Sequence, residues 1–416
     1  MPKPVAISLF SGMGGLDFGF EAAGFEVGVA VERDHDCCET LRAHLGDRVL
    51  ESDIFDVSTA EMLSVAGRSD REIEVLIGGP PCQPFSKSGF WRTGEAGRLT
   101  DPRAATLDAF LRVLEEVSPR AMLLENVAGL GYQGKSEGLE LLLNRIDSIN
   151  RRIGTDYRPT FGVVDACDYG VPQRRQRFVI VAERNGREFR FPSPTHGDQT
   201  AGLLSNSLLP CSTAYDAIGG LDSGPDEDLA IRGKWAGLIP SIPEGSNYLH
   251  HTDRGEGLPL FGWRRRYWNF LLKLSKIQPS WTIQAQPGPS VGPFHWTNRR
   301  LSVRELCRLQ TIPDTVQVAG RRTSAQRQIG NAVPSLLGEV FAREFQVQLL
   351  GHRPDTRAPR LLPKKARTVP PPEPVGSVPE EFLHLVGDHE PHPGTGLGSG
   401  ARSRAPRSGD RQAALR

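Results

Sequence analysis

Long apolar runs are missing from this chain of 416 residues. No segment approaches the roughly 20 apolar residues that a bilayer span needs, which excludes a membrane-spanning helix. Cysteine is sparse: its six copies, at 37, 38, 82, 167, 211 and 307, form no Cys-x-x-Cys pair and no metal-ligand spacing. Neither a disulfide framework nor a zinc site follows from that pattern, and a reducing compartment suits it. An excess of one charge is lacking too. Fifty Lys and Arg face 49 Asp and Glu, a net charge of +1, so any basic surface for nucleic acid must be local. The opening Met1-Pro2-Lys3-Pro4 runs straight into a strand pattern, with no charged leader and apolar stretch. The expectation is a cytoplasmic protein with no membrane association and no metal.

What is present is a chain that is 38% apolar, enough for a substantial core and, by its length, two or three domains. Apolar runs at residues 5–10, 27–31, 75–77, 121–124 and 178–181 read as buried strands. Residues 16–23, 107–116 and 139–149 carry apolar side chains at helical spacing. Strands alternating with helices predict an α/β fold with a doubly wound, mostly parallel sheet over residues 1–188. From 189 to 300 Gly, Pro and Trp become frequent and the alternation fades, which predicts a smaller, loop-rich domain. Residues 301–350 turn helical again. Beyond 350 the Pro-, Gly-, Ser- and Arg-rich composition reads as a disordered tail, 351–416.

Two strand ends carry candidate chemistry. The first strand runs into Ser11-Gly12-Met13-Gly14-Gly15 and a helix, and glycines there let a ligand approach the backbone and the free helix amides. About twenty residues on, Glu32 ends the second strand, where a carboxylate binds ribose hydroxyls; Asp53 is placed to accept from an adenine amino group. A dinucleotide fingerprint fails because Asp17 holds the third glycine position, which favours an adenosyl cofactor without phosphates. The other strand end is Ile77-Gly78-Gly79-Pro80-Pro81-Cys82-Gln83-Pro84. Prolines on both sides of Cys82 fix backbone angles and hold its thiol at the sheet edge where α/β proteins bind ligands.

Six blocks in order carry a resemblance. They are Phe10-Ser11-Gly12-Met13-Gly14-Gly15, Gly79-Pro80-Pro81-Cys82-Gln83-Pro84-Phe85-Ser86, Glu125-Asn126-Val127, Gln173-Arg174-Arg175-Gln176-Arg177, Arg300-Leu301-Ser302-Val303-Arg304-Glu305 and Gln328-Ile329-Gly330-Asn331-Ala332-Val333-Pro334. On these the chain resembles DNA (cytosine-5) methyltransferases of the bacterial restriction–modification type, from residue 5 to about 345. The resemblance implies the class I S-adenosylmethionine-dependent methyltransferase fold. It also implies that the 301–350 return completes the catalytic domain and that 189–300 is a target-recognition domain.

The activity implied is transfer of a methyl group from S-adenosylmethionine to carbon 5 of cytosine in a specific double-stranded DNA sequence. The base is flipped out of the duplex, and Cys82 adds to carbon 6 so that carbon 5 becomes nucleophilic. Glu125 is implied as the acid that holds ring nitrogen 3 and the amino group, Arg175 as the contact to the base carbonyl, and Arg177 as its partner. Phe10, Gly12, Gly14, Glu32, Asp53, Ile54, Pro80, Asn331 and Val333 fall at cofactor-contact positions. Arg33 replaces the aromatic residue often found after the ribose carboxylate. Residues 86–100 are expected to close over the flipped nucleotide. Arg264, Arg265, Arg266, Arg299 and Arg300, interleaved with Trp263, Tyr267, Trp268 and Trp296, suit contacts to phosphates and base edges. A cognate restriction endonuclease acting on the same site is the implied partner. The rival readings are a tRNA cytosine-5 methyltransferase on the same scaffold and a catalytically inactive DNA-binding homologue.

Overall fold

The computed structural model describes residues 2–69, 72–81, 105–131, 137–197, 208–221, 227–264, 267–353 and 355–389. Seven strands share one sheet: β1 (Val5–Leu9), β2 (Glu26–Glu32), β3 (Val49–Glu51), β4 (Val75–Gly78), β5 (Ala121–Val127), β6 (Thr160–Asp165) and β7 (Gln176–Glu183). Their order is β3-β2-β1-β4-β5-β7-β6. The first five are parallel, and β7 runs antiparallel to both β5 and β6. The doubly wound, mostly parallel α/β sheet read from the sequence is therefore present. Strand β6 was not anticipated. It is an edge strand with Phe161 and Val163 on the exposed side and Gly162 between them, so no buried apolar run announces it.

Five helices follow the early strands: α1 (Gly15–Ala22), α2 (His35–Leu45), α3 (Thr59–Ala66), α4 (Ala105–Val117) and α5 (Glu137–Ile153). Later come α6 (Ala214–Ile218), α7 (Val303–Leu309), α8 (Arg322–Asn331), α9 (Ser335–Glu344) and α10 (Glu380–Leu383). Successive strand residues face opposite sides. In β4, Leu76 joins the core beneath α3, α4 and α5, whereas Val75 and Ile77 join the core beneath α1 and α9. Helix α4 buries Leu107, Phe110, Leu111 and Leu114, the spacing of a one-sided helix face.

The strand order reverses between β1 and β4, which are neighbours reached by connections leaving in opposite directions. A crevice opens at the carboxyl ends of strands at such a switch point. Here those ends continue into Phe10–Gly14 and into Gly79, Pro80 and Pro81.

The return segment closes against this edge. Helix α7 starts with a capping box in which Ser302 Oγ accepts from Glu305 N at 3.1 Å and Glu305 accepts from Ser302 N at 2.8 Å. Helix α9 lies on α1 at backbone contact. A Cβ on Gly19 would stand 2.3 Å from Ser335 O and 2.6 Å from Glu339 N, so only glycine permits this approach.

Residues beyond the sheet form a second, loop-rich lobe with two short paired strands, β8 (His196–Gly197) and β9 (Leu209–Pro210). Its core gathers Leu238, Ile239, Ile242, Tyr248, Leu271 and Phe294, with Trp235, Phe261 and Phe270 packed around them.

The expectation of a disordered tail from 351 is corrected over residues 355–389. Arg360 N and Leu361 N donate to the Glu339 carboxylate at 2.7 and 2.9 Å, and Leu361 and Leu362 pack on the core under α9. Further on, the Lys276 ammonium donates to Glu244, to Pro371 O and to Glu373 at 2.7–2.9 Å. Phe382 is buried, stacked on Trp235 with ring centroids 5.8 Å apart. The segment is a strap fastened to both lobes by single anchors rather than by a periodic apolar face. Such anchors leave the composition looking like that of a disordered chain.

Candidate active site

The end of β1 is built around three positive φ angles, at Phe10 (54°), Gly12 (56°) and Gly14 (94°). Gly14 caps α1 with its backbone alone, and among the described residues no side chain makes a cap hydrogen bond at the helix start. The turn is clamped on two sides. A Cβ on Gly14 would sit 2.7 Å from Leu41 of α2, and one on Gly15 would sit 2.3 Å from Val333 O. Val333 is thus brought beside the first turn although more than 300 residues separate them, and Asn331 ends α8 two residues earlier, exposed.

Glu32 closes β2 and faces this turn. Its Oε2 accepts from Gly12 N at 2.8 Å, and its Oε1 accepts from Arg33 N and Asp34 N, each at 2.9 Å. Three main-chain donors therefore fix the carboxylate at the mouth of the crevice. Asp53 follows β3; its Oδ1 accepts from Phe55 N at 3.3 Å and its Oδ2 pairs with the exposed Arg33 guanidinium at 3.1 Å. Ile54 beside it is buried. Arg33 thereby spans the gap between the two acidic positions read from the sequence.

Asp17 lies under the same turn with no solvent exposure and, among the described residues, no hydrogen-bond partner for either carboxylate oxygen. Burial lifts its carboxyl to about 7, opposed by the nearby Ser8 hydroxyl. A negative or partly negative group beneath the glycines repels a pyrophosphate, which agrees with the missing third glycine.

The neighbouring strand ends carry the other half of the crevice. Asn126 Nδ2 donates to Pro80 O at 3.0 Å, tying the end of β5 to the segment that follows β4, and Thr106 Oγ1 of α4 donates to Pro81 O at 3.2 Å. Cys82, the next residue, lies outside the described residues, as do residues 86–100. Glu125 in β5 is buried, and its carboxylate meets Arg177 Nε at 2.5 Å, the two side chains 12% and 11% exposed. A Cβ on Gly79 would come 3.1 Å from Glu125 Oε2, so the carboxyl also adjoins the chain leading to Cys82. Desolvation raises the Glu125 pKa above its ordinary 4.5, against the opposing pull of Arg177 and Arg175.

The two arginines do different work. β-pairing sets Val127 opposite Arg177, which brings Arg177 to Glu125. Arg175 points its guanidinium into the protein instead. Nη2 donates to Gly330 O at 2.7 Å and Ala332 O at 3.0 Å, Nη1 donates to Ile283 O at 3.2 Å, and Nε has no partner among the described residues. Burial holds the Arg175 pKa well below the usual arginine range. Gln173 and Gln310 extend this buried network. Gln173 Nε2 donates to Leu309 O at 3.2 Å, and Gln310 Nε2 donates to Ile329 O at 2.7 Å. Gln310 had no signal in the sequence, since a lone glutamine inside a helical pattern carries none.

Several arginines and aromatics assigned to DNA by their composition have structural partners. Arg299 makes a two-pronged pair with buried Glu305 at 2.7 and 2.8 Å. Trp296 is buried, and Trp263 lies under the Arg254 guanidinium at 4.0 Å. Arg265 and Arg266 lie outside the described residues. Tyr267 and Trp268 are exposed.

Residues 5–346 match the family model of C-5 cytosine-specific DNA methylases. The chain is 40% identical over 368 residues to the Type II methyltransferase M.SacI of Streptomyces achromogenes, covering 82% of this chain and 93% of that protein. It is 33% identical to the Type II methyltransferase M.NgoFVII of Neisseria gonorrhoeae, covering 80% and 83% of the two chains. A prophage-encoded DNA modification methyltransferase from E. coli shares the fold with a TM-score of 0.57 at 23% identity, covering 84% of this chain and all of that one. The S. pombe Dnmt2 methyltransferase does so with a TM-score of 0.53 at 15% identity, covering 84% and 99%.

Proposed function

The chain belongs to the C-5 cytosine-specific DNA methylases, and from that premise we propose a division of labour among its residues. The glycine turn at Gly12 and Gly14, Glu32, Asp53, Ile54, Phe10, Pro80, Asn331 and Val333 hold S-adenosylmethionine. The fit rests on chemistry at this site: an uncapped helix start for a carboxylate, a carboxylate fixed at the mouth for a ribose, and a buried Asp17 where a phosphate clamp would be needed. Bound there, the cofactor supplies an electrophilic methyl group on sulfur. Arg33 occupies the space between Glu32 and Asp53, so it must swing aside or lie flat against an adenine ring.

The substrate is a cytosine in double-stranded DNA, flipped from the stack at a cost of a few kcal/mol. Cys82 adds as thiolate to carbon 6, and Glu125, whose pKa burial raises, takes up a proton as the base enters and donates a hydrogen bond to ring nitrogen 3. Arg177 touches that carboxyl and is the arginine placed to reach the base carbonyl. Arg175 is a positioning residue: it ties residues 283 and 330–332 to the edge that carries Arg177. After methylation at carbon 5, loss of the carbon 5 proton and departure of the thiolate restore the aromatic ring. The buried Glu125 carboxyl paired to Arg177, beside the strand that leads to Cys82, carries this reading.

The similarity to Type II methyltransferases supports, as a further proposal, a cognate nuclease acting on the same sequence in the cytoplasm. Among the described residues no helix is long and apolar enough to cross a membrane. The test is incubation with methyl-labelled S-adenosylmethionine and, separately, mixed-sequence duplex DNA and tRNA, with bisulfite sequencing of the duplex. Label on cytosine of the duplex at one recurring sequence is expected. Label on tRNA alone overturns the DNA assignment.

A further inference from the structure

Two indole rings stand at the edge of the second lobe where it meets the active site. Trp268 is 46% exposed, and its ring meets Trp281 edge-on with centroids 5.3 Å apart. Both are held from behind. Asn247 Nδ2 donates to Trp268 O at 2.8 Å, and the residues flanking Trp281 are tied to the main chain of Arg174. Arg174 N donates to Ser280 O at 2.8 Å, and Thr282 Oγ1 donates to Arg174 O at 2.7 Å. Arg174 is three residues ahead of Arg177, the partner of Glu125. The indole pair is therefore fastened to the same short segment that carries the arginine of the base pocket. The neighbour of Trp268 in the chain, Tyr267, is exposed as well, with the Arg264 guanidinium 5.5 Å from its ring centroid.

The exposed part of the Trp268 ring, braced by Trp281, leaves a planar apolar face open to solvent. In the same lobe Tyr248 is buried and Phe270 half-buried against the core, whereas Trp268 is exposed and reaches the segment that carries Arg177 through Trp281. A planar π face next to a cation suits a nucleobase beside a phosphate, because base stacking on an aromatic ring is strong and tolerant of sequence. The methylation reaction itself creates the need. Removing one cytosine from the stack deprives its neighbours of a stacking partner, and a rigid aromatic at the mouth of the pocket replaces it.

We propose that Trp268 stacks on a base adjoining the flipped cytosine, and that Trp281 fixes the angle of its ring. The inference rests on the DNA-methylating function above. Trp268 would hold the duplex open at the correct step, and it would act on substrate engagement rather than on the transfer step.

The test uses the full chain and a duplex containing the sequence mapped by bisulfite, with 2-aminopurine placed in turn on each side of the target. In the wild type, 2-aminopurine on one side should be quenched on binding, and W268A should relieve that quenching. The KM for duplex should rise about 5- to 150-fold in W268A and less in W268F, the range that one aromatic–base stack spans. The KM for S-adenosylmethionine and the melting temperature of W268A should stay within error. W281A should give an intermediate KM. An unchanged duplex KM in W268A overturns the inference, and so does equal loss in W268A and W268F. Loss of S-adenosylmethionine affinity in W268A also overturns it, by showing a structural role. A wild-type chain that methylates no duplex refutes the function itself, a result separable from these.

Discussion

Arg177→Gln isolates the most consequential contact in the crevice. The wild-type pair is 2.5 Å long, with both side chains about one-ninth exposed. Removing one member of a buried ion pair typically costs about 3–5 kcal/mol because the other charge is left unpaired. Glu125 has an escape, however: it can take up a proton. Its pKa is already raised by burial, and Arg177 is the first of the groups opposing that rise. Without Arg177 the pKa moves higher still. A carboxyl whose folded-state pKa exceeds its unfolded value contributes stability that is present at low pH and lost as pH rises through the folded value. The variant widens that window upward. Its destabilisation relative to wild type should be small near pH 5 and approach the full amount near pH 9. Guanidinium unfolding of both proteins at those two pH values reads this directly. Turnover should also fall by about 10²–10³, the usual loss when a preorganised donor is removed from the reacting group. Equal destabilisation at both pH values would refute the reasoning, since it would mean that Glu125 keeps its charge state without Arg177.

Three further outcomes follow from single features. Gly19→Ala places a methyl group against Ser335 O and Glu339 N, which must push α9 off α1. Stability should drop by about 1–3 kcal/mol, and calorimetric S-adenosylmethionine affinity should fall because Val333 moves with α9. Asp17→Asn should flatten the pH dependence of stability: wild type loses stability as pH rises from about 4 to about 7 and levels off above that, by about 4 kcal/mol in all, and urea titrations from pH 4 to 9 would check it. Truncation after residue 352 strips Phe382 from Trp235 and Glu373 from Lys276. A loss of about 2–3 kcal/mol is expected from the aromatic anchor alone, with a thermal melt as the readout.

The sheet and the crevice were legible wherever the signal was local. Strands β4 and β5 sit between neighbours and are buried on both faces, so their apolar runs are uninterrupted. The glycine turn and Glu32 are each a few residues past such a run. Register was not legible. Arg175 and Arg177 are two residues apart and look equivalent in the chain, yet only the pairing of Val127 with Arg177 decides which one reaches Glu125. The strap was missed because Leu361, Leu362 and Phe382 are too widely spaced for any period. The partner of Arg299 was not legible either, because Glu305 reads in the chain only as part of a helix start, and a capping carboxylate can hold a cation as well.

The central claim is that Cys82 forms a bond to carbon 6 of the target cytosine. A duplex carrying 5-fluorocytosine at the mapped target tests it, because fluorine leaves no proton at carbon 5 to be lost and the adduct cannot resolve. With S-adenosylmethionine present, the wild-type chain should form a denaturant-stable complex whose DNA-linked peptide contains Cys82, and Cys82→Ser should form none. A linkage mapped to another residue, or wild-type rates of cytosine methylation by Cys82→Ala, would contradict the account.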